Sequence, residues 1–364
     1  MEEKLLKTPL YDEHLALKAR MVPFGGWAMP LQYAGILQEH AHTRGQVSIF
    51  DISHMGEFIV DGDLARCGLD RIVTMSLADL AVGACRYGCM LNERGGVMDD
   101  LIVFRTEPER WFIVVNGATT RKDAEHFRKY LEADAVFTDV SAQTGKIDIQ
   151  GPRSREIMKS LVADIGKLGY YSFDFFNLLG ENVLISRTGY TGELGYEIYF
   201  PWERTPALWR ELIQHREVKP AGLGARDTLR LEMGYSLYGH ELEEDRSPLE
   251  AGLNRFIDFN KEFIGKDALV KQKREGVKRR IVGILSESRR SPRGGHVIRV
   301  PSGEEIGLVT SGTFSPSLNR GIGLGFVSAP YAASGTPVAF GSGDLKNLAV
   351  VTPRHFYTGG SLKT

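Results

Sequence analysis

Two adjacent carboxylates, Asp99 and Asp100, stand where a glycine turn runs into a short apolar segment. The turn reads NERGG at 92–96, and the apolar segment LIVF at 101–104 predicts a buried strand, being short and partly β-branched. Neighbours on a strand point to opposite faces, so with a strand starting at Met98 one acid faces solvent or backbone and the other the interior. A carboxylate at the rim of a core strand could meet a ligand while partly desolvated. The alternative is that both are acids of a turn or a sheet edge.

A second group of polar residues lies on predicted core elements. Glu197 sits inside the strand at 196–200, and its two neighbours point to the opposite face. Arg226 lies in a helix of apolar and small residues, and Arg230 follows at i+4 on the same face. Such a Glu and Arg could form a structural ion pair, or they could hydrogen-bond a flat heterocycle through carboxylate acceptors and a planar fork of donors. Tyr190, in a glycine-bounded turn, could be a stacking lid or a plain turn aromatic.

Several common site motifs are absent from the sequence. It contains no Walker loop, no dinucleotide-binding glycine fingerprint, and no H-E-x-x-H, G-x-S-x-G or C-x-x-C motif. The cysteines are Cys67, Cys85 and Cys89; the last two are spaced C-x3-C, but no second Cys or His pair follows nearby. We therefore predict reduced core thiols and no metal site.

The composition is typical of a soluble globular protein, with 25% charged and 42% hydrophobic residues in a chain of 364. The formal net charge is −1 with both signs mixed along the chain, which argues against a nucleic-acid or membrane surface. The first residues, MEEKLLK, include no long apolar stretch, so neither a signal peptide nor a membrane span is expected, and we predict a cytoplasmic protein. A prior of about 150 residues per domain suggests two or three domains.

The elements that must position these residues fall into three stretches. Residues 56–139 predict one α+β unit of strands followed by a helix, including a hairpin across the 92–96 turn and an interrupted helix at 64–80. A second unit of strands and helices starts at Lys146. From about residue 276 short strands alternate with Gly-rich turns, which predicts a small β-sandwich or barrel.

Several short motifs resemble those of one family, and their order and spacing are more specific than any single motif. The clearest are GYTGE at 189–193 with YEI at 196–198, and ARDTLRLE at 225–232. The others are TPLY at 8–11, FGGW at 24–27, FDISHMG at 50–56, GGVMDDL at 95–101 and TSGTFSPSL at 310–318. Together they resemble the glycine cleavage T-protein family of tetrahydrofolate-dependent aminomethyltransferases, almost end to end.

The resemblance implies an α+β fold with three domains arranged as a cloverleaf around a central folate channel. The first domain would be discontinuous, formed by residues 1–55 and 140–275, and would bind folate. Residues 56–139 would form a second α+β domain that carries Asp100. Residues 276–364 would form a C-terminal β domain resembling a barrel.

The resemblance also implies a reaction and its partners. The family moves the methylene group of an aminomethyl-lipoyl carrier, the H-protein, to tetrahydrofolate. Ammonia is released, and 5,10-methylenetetrahydrofolate and the dihydrolipoyl carrier are formed. Tetrahydrofolate is a cosubstrate, no metal takes part, and the enzyme is expected to be a monomer that docks the lipoylated H-protein transiently.

Individual residues take roles from the resemblance. Asp100 matches the key catalytic acid, because a carboxylate beside an amine nitrogen can orient it and stabilise cationic character as the C–S bond breaks. Glu197 matches a glutamate that hydrogen-bonds the pterin, and Arg226 matches an arginine at the folate site. An aromatic contact falls within 356–357, with its register open. The remaining positions implied to line the folate site are Tyr190, Tyr87 and Asn116.

One departure and two alternatives accompany the resemblance. Family members usually carry an apolar or small residue where this chain has Asp148, and we expect the change to affect local packing and leave the site alone. Non-catalytic folate-binding proteins of the same fold carry a reactive Cys in the segment matching 263–267, where this chain has none. A folate-dependent demethylase of this fold would differ only in details of the channel.

Overall fold

The computed structural model describes residues 5–343 and 346–363. Within them the helices are α1 Tyr11–Ala16, α2 Ile36–Gly45, α3 Leu69–Ile72, α4 Thr120–Tyr130, α5 Ser154–Leu161, α6 Thr205–Gln214, α7 Leu223–Glu232 and α8 Lys266–Glu275. The strands are β1 Leu6–Lys7, β2 Arg20–Phe24, β3 Trp27–Gln32, β4 Val47–Asp51, β5 Gly56–Asp61, β6 Cys85–Leu91, β7 Val97–Glu107, β8 Arg110–Val115, β9 Val136–Asp139, β10 Thr144–Gln150, β11 Phe173–Leu178, β12 Glu181–Ser186, β13 Gly195–Pro201, β14 Val218–Pro220, β15 Arg279–Ser286, β16 Val297–Arg299, β17 Glu305–Ser315, β18 Arg320–Ser328, β19 Pro337–Gly341 and β20 Asn347–Thr352.

Four sheets organise these strands. A six-stranded sheet has the order β11-β12-β13-β10-β4-β14, and a five-stranded sheet has the order β6-β7-β8-β5-β9. A small sheet, β1-β3-β2, lies near the start of the described chain, and the last six strands close into a barrel. The mixed α+β class is therefore confirmed. Because the last six strands form a closed barrel, the C-terminal unit is a barrel and not a sandwich.

The five-stranded sheet contains the predicted hairpin. β6 and β7 pair antiparallel, with Cys89 opposite Asp100 and Met90 opposite Asp99. The interrupted helix expected at 64–80 is wrong, since only α3 is helical there. The chain leaves the helix because Val73 forms a bridge with Met90, and the Asp70 carboxylate accepts a hydrogen bond from the Leu77 amide at 2.8 Å.

The six-stranded sheet presents two different faces along its inner strand β10. Ile147 and Ile149 point into the main hydrophobic core. Lys146, Asp148 and Gln150 alternate with them and point to the other face, as the two-residue period of a strand requires. All three are buried, so this strand carries a buried polar face.

The carboxylate of Glu232, in the middle of the chain, is hydrogen-bonded to residues from both the early and the late parts of the chain. Glu232, at the end of α7, is fully buried and accepts hydrogen bonds from His40 at 3.0 Å and Arg44 at 2.7 Å. The hydroxyls of Ser315 and Ser317, at the end of β17 and just after it, donate to the same carboxylate at 2.5 and 3.0 Å. Burial alone would raise the pKa of Glu232, but the His40 hydrogen bond and the Arg44 charge lower it to about 2.

The strands of residues 56–139 pair in one sheet, while the six-stranded sheet combines β4 with strands that follow residue 140. The domain boundaries themselves stay a prediction. Across 5–343 and 346–363, none of the helices is long and apolar enough to cross a membrane. The same described residues contain no cluster of His, Cys, Asp and Glu suited to a metal ion.

Candidate active site

The adjacent aspartates lie on an inner strand of the five-stranded sheet. β7 is flanked by β6 and β8, so neither residue is an edge acid. Asp99 is fully buried and shares its face with Leu101 and Val103, whereas Asp100 on the other face is half-buried. The two carboxylates therefore point to opposite faces, as expected for a strand, with Asp99 toward the interior and Asp100 on the more exposed side. Both carboxylates are kept largely from water, and each needs hydrogen-bond partners.

Asn116, just after β8, supplies donors to both aspartates. Its backbone N–H donates to Asp99 Oδ2 at 2.9 Å, and its Nδ2 donates to Asp99 Oδ1 at 2.8 Å and Asp100 Oδ1 at 2.9 Å. The hydroxyl of Tyr87, on β6, donates to Asp100 Oδ2 at 2.8 Å. We call these four residues the acid cluster: Tyr87, Asp99, Asp100 and Asn116. Three of them are residues that the sequence marked out as site candidates.

The acid cluster changes the proton affinity of Asp100. Burial, followed by the neighbouring Asp99 charge, raises the pKa of Asp100 to about 7 against the opposing hydrogen bonds from Tyr87 and Asn116. A carboxyl with such a pKa is populated in both protonation states at neutral pH. It can therefore accept or donate a proton there, as a general acid or base must.

Glu197 lies on the polar side of the six-stranded sheet, directly opposite Asp148 on β10. It is 5% exposed and accepts a hydrogen bond from Thr188 Oγ1 at 2.8 Å. The ammonium of Lys146, itself buried, lies 3.5 Å from Glu197 Oε2. Burial alone would raise the pKa of Glu197, but the Lys146 charge and the Thr188 hydrogen bond lower it. The glutamate is thus an anionic acceptor at neutral pH.

Arg226, on α7, pairs with a residue that the sequence argument set aside. Its Nη1 donates to Asp148 Oδ2 at 2.8 Å, and Gln150 Nε2 donates to Asp148 Oδ1 at 2.6 Å. The expectation that Asp148 leaves the site alone is wrong, because this carboxylate fixes the candidate arginine. We call Lys146, Asp148, Glu197 and Arg226 the ionic cluster.

Arg226 and Arg230 do not act as a pair, although both lie on α7. Arg230 is 1% exposed, and its Nη1 donates to Glu241 at 2.9 Å and its Nη2 to Ser311 at 2.9 Å. It therefore anchors the helix to the barrel. Among the described residues no hydrogen bond joins Arg226 to Glu197, so the structural ion pair considered from sequence does not form.

Tyr190 lies beside the ionic cluster. Its ring stacks on Tyr235 with centroids 5.6 Å apart, its hydroxyl donates to the Ser236 carbonyl, and the Arg226 guanidinium carbon is 4.8 Å from its centroid. Burial raises the pKa of Tyr190, and the charges of Arg226 and Asp100 shift it in opposite directions. Tyr190 is therefore an aromatic contact of the ionic cluster through Arg226.

Comparisons with known proteins show the family to which the chain belongs. Residues 10–261 match the family model described as the GCVT N-terminal domain, and residues 279–358 match the glycine cleavage T-protein C-terminal barrel domain. The chain belongs to the glycine cleavage T-protein family. Its relatives in this family include an aminomethyltransferase of Pseudothermotoga lettingae, 44% identical over 89% of this chain and 90% of that protein. One from Bacteroides thetaiotaomicron is 41% identical over 96% of this chain and 99% of that one.

A solved T-protein structure matches nearly the whole fold. The crystal structure of the glycine cleavage system aminomethyltransferase T from Bartonella henselae superimposes with a TM-score of 0.93. It is 32% identical in sequence and covers 98% of this chain and 99% of that chain. The T-protein fold predicted from the motifs is therefore confirmed.

Sequence reasoning missed three buried titratable groups around the candidate site. Lys146 and Asp148 alternate with the core isoleucines of β10, and this period-two pattern of charge was the available signal. Asp123, on α4, lies against Asp99 and had no signal beyond its place on a helix after the hairpin. In the 356–357 region, the Tyr357 ring lies 4.3 Å from the Arg44 guanidinium carbon, and Phe356 packs near Leu231. Which of the two would contact a ligand stays a prediction.

Proposed function

We propose that this protein is the aminomethyltransferase of a glycine cleavage system, with Asp100 as its catalytic acid–base group. The observation that carries the assignment is Asp100 itself, half-buried and held by Tyr87 and Asn116, with a pKa raised to about 7 in a T-protein chain. The ionic cluster beside Tyr190 supplies complementary acceptors and donors for a flat, polar heterocycle.

The reaction transfers one carbon from the sulfur and nitrogen of the aminomethyl-lipoyl group to two nitrogens of tetrahydrofolate. The methylene of the S–CH2–NH2 group breaks its C–S and C–N bonds and forms two C–N bonds to the N5 and N10 nitrogens of tetrahydrofolate. Those two nitrogens each lose a proton, one of which ends on the lipoyl sulfur and the other on the departing ammonia. The products are 5,10-methylenetetrahydrofolate, a dihydrolipoyl carrier and ammonia.

Asp100 suits the proton transfers of this sequence. In the ionised form it can accept a hydrogen bond from a folate amine and stabilise iminium character on the transferred carbon. With a pKa of about 7 it can also take up and return a proton during one turnover. The Tyr87 and Asn116 donors hold its two oxygens in place.

The ionic cluster suits the pterin end of the folate. Glu197, kept anionic by Lys146, can accept from the amino group and ring N–H of a pterin. Arg226 uses Nη1 for Asp148, which leaves other guanidinium donors for pterin acceptors. Tyr190 and Asn116 would line the same channel.

The partner of the proposed enzyme is the lipoylated H-protein, which presents the aminomethyl group on its swinging arm. The proposed enzyme acts in the cytoplasm as a monomer, docking its carrier transiently, and tetrahydrofolate is the cosubstrate. The alternatives within the same fold are a folate-dependent demethylase and a non-catalytic folate-binding protein, and relatives named as aminomethyltransferases favour neither.

The deciding experiment is a turnover assay. Purified protein is mixed with tetrahydrofolate and an aminomethyl-loaded lipoyl carrier, and ammonia and methylenetetrahydrofolate are followed. Asp100→Asn is expected to lose about 100-fold or more in kcat, because positioned proton transfer contributes on that scale. Asp164→Asn, at a carboxylate 69% exposed, serves as the matched control and should keep full rate.

Three outcomes separate the alternatives. Ammonia formation that depends on Asp100 supports both the reaction and the residue. Tetrahydrofolate binding without ammonia formation contradicts the reaction and favours the demethylase or a binding protein. An Asp100→Asn variant as fast as the unchanged protein contradicts the role given to this residue.

A further inference from the structure

A third carboxyl lies behind the acid cluster. Asp123, in the first turn of α4, is fully buried, and neither of its oxygens receives a hydrogen bond from a donor in the part of the chain that the structure describes. The group that faces it is the carboxyl of Asp99. The nearby Thr119 hydroxyl donates instead to the Asn116 carbonyl at 3.0 Å. Two buried carboxyls in contact cannot both be ionised without a large cost, so one of them must hold a proton.

The distribution of donors decides which one. Asp99 receives the Asn116 backbone N–H at 2.9 Å and its Nδ2 at 2.8 Å. Asp100 receives Tyr87 and a share of the same Nδ2. Asp123 receives none of these. The ionised form is therefore stabilised most at Asp99, and the proton stays on Asp123.

We propose that Asp123 is a positioning residue that remains protonated and donates a hydrogen bond to Asp99, which keeps Asp99 anionic beside the catalytic Asp100. The effect passes through two contacts. Asp123 supplies the donor that Asp99 lacks on its inner side, and the Asp99 charge then opposes ionisation of Asp100. The raised pKa of Asp123, about 10 because of burial and the Asp99 charge, agrees with this assignment.

The other titratable groups around the three carboxyls leave this arrangement undisturbed. On α4, Lys122 is engaged by Glu244 at 2.9 Å and by Tyr238 at 2.8 Å. Burial lowers the pKa of His126, on the same helix, to about 4, so the imidazole is neutral near pH 7. On β6, burial raises the pKa of the Cys89 thiol and of the Tyr87 hydroxyl, so both are neutral as well.

Two substitutions at one position test the proposal in the turnover assay, and this arm rests on the proposed function. Asp123→Asn keeps a neutral donor toward Asp99, so the midpoint of the pH–rate limb near neutrality should not move. Asp123→Leu removes the donor, which weakens the Asp99 charge and should shift that midpoint downward by about one pH unit. An equal downward shift in both variants would mean that Asp123 is ionised, and no shift in either would mean that it does not act on Asp100; both results overturn the proposal.

An infrared measurement tests the same point without turnover. At pH 7.5 the difference spectrum between the unchanged protein and Asp123→Asn should show the loss of one carboxylic-acid C=O band, over a background from other buried carboxyls such as Asp100 and Asp148. Asp164→Asn, at an aspartate whose side chain is 69% exposed, should leave the band unaltered. A difference spectrum without the band overturns the proposal even if Asp123→Leu fails to fold. If the band behaves as expected but no ammonia is formed, the proposed function fails while the role of Asp123 stands.

Discussion

Replacing Lys146 with Met should expose how strongly the ionic cluster depends on one buried cation. Lys146 is 1% exposed and its ammonium lies 3.5 Å from Glu197 Oε2. At that distance, with an effective dielectric constant of about 20, the Coulomb energy is about 5 kcal/mol. Removing one partner of a buried pair leaves the other charge uncompensated, so we expect the free energy of unfolding at pH 7 to fall by about 3–5 kcal/mol.

The pH dependence follows from the lowered pKa of Glu197. A carboxyl whose pKa is lower in the folded state adds stability above its unfolded pKa of about 4.3, and that stability is lost as the pH falls through the folded value. Without Lys146 the folded pKa of Glu197 rises. The difference between the two proteins should therefore be largest at neutral pH and should shrink in acid.

Urea unfolding of a double-mutant cycle measures the pair directly. The cycle consists of Lys146→Met, Glu197→Gln and their combination, and we expect a coupling energy of about 2–3 kcal/mol. Lys167→Met, at a lysine 78% exposed in a surface pair, is the control and should change stability by less than about 0.5 kcal/mol. A coupling energy no larger than that of the control, or a pH-independent difference, would refute the reasoning.

Three further outcomes follow from buried groups. Burial raises the pKa of Asp148 to about 7, so ionising this carboxyl opposes folding. As the pH rises from about 4 to 7, the free energy of unfolding of Asp148→Asn should therefore increase by about 1 kcal/mol or more relative to that of the unchanged protein. A difference in urea unfolding that does not change with pH would contradict this. Glu232→Gln should lower the free energy of unfolding, measured in urea, by about 3 kcal/mol at pH 7 and by progressively less as the pH falls from about 4 toward 2. A loss that stays constant over this pH range would contradict the stabilising role of the ion pairs around Glu232. The buried thiols, led by Cys85 and Cys89, whose pKa values burial raises, should react slowly with a thiol reagent until the protein unfolds, and rapid labelling of the folded protein would show otherwise.

Local sequence patterns predicted the parts of the site that depend on neighbouring residues. The hairpin that carries Asp100 follows from a glycine turn between two apolar runs, and the strand that carries Glu197 follows from alternation. Both are short-range signals that the backbone obeys wherever the strand is placed. Asp100, Glu197 and Arg226 could therefore be named as site candidates from the sequence, with their roles implied by the family resemblance.

The pairings between distant elements were beyond those patterns. Arg226 and Asp148 are 78 positions apart, and only the packing of α7 on the six-stranded sheet brings them to 2.8 Å. Lys146 is buried because β10 is an inner strand of the six-stranded sheet, and the order of the strands is not recorded in the local sequence. Burial of Asp99 depends likewise on α4 packing against its face of the sheet, which no pattern around residue 99 records.

The network around Glu232 has a consequence for how the chain folds. Its donors come from residues 192 and 188 positions earlier and from residues 83 and 85 positions later. Closing loops of that length is slow, so the network can be completed only after the early helix and the barrel have both docked. Until both have docked, the buried Glu232 carboxylate lacks most of its hydrogen-bond donors. Any state in which only the early helix or only the barrel is docked is therefore disfavoured. The barrel and α7, the helix that ends at Glu232, should therefore unfold together in a single cooperative transition.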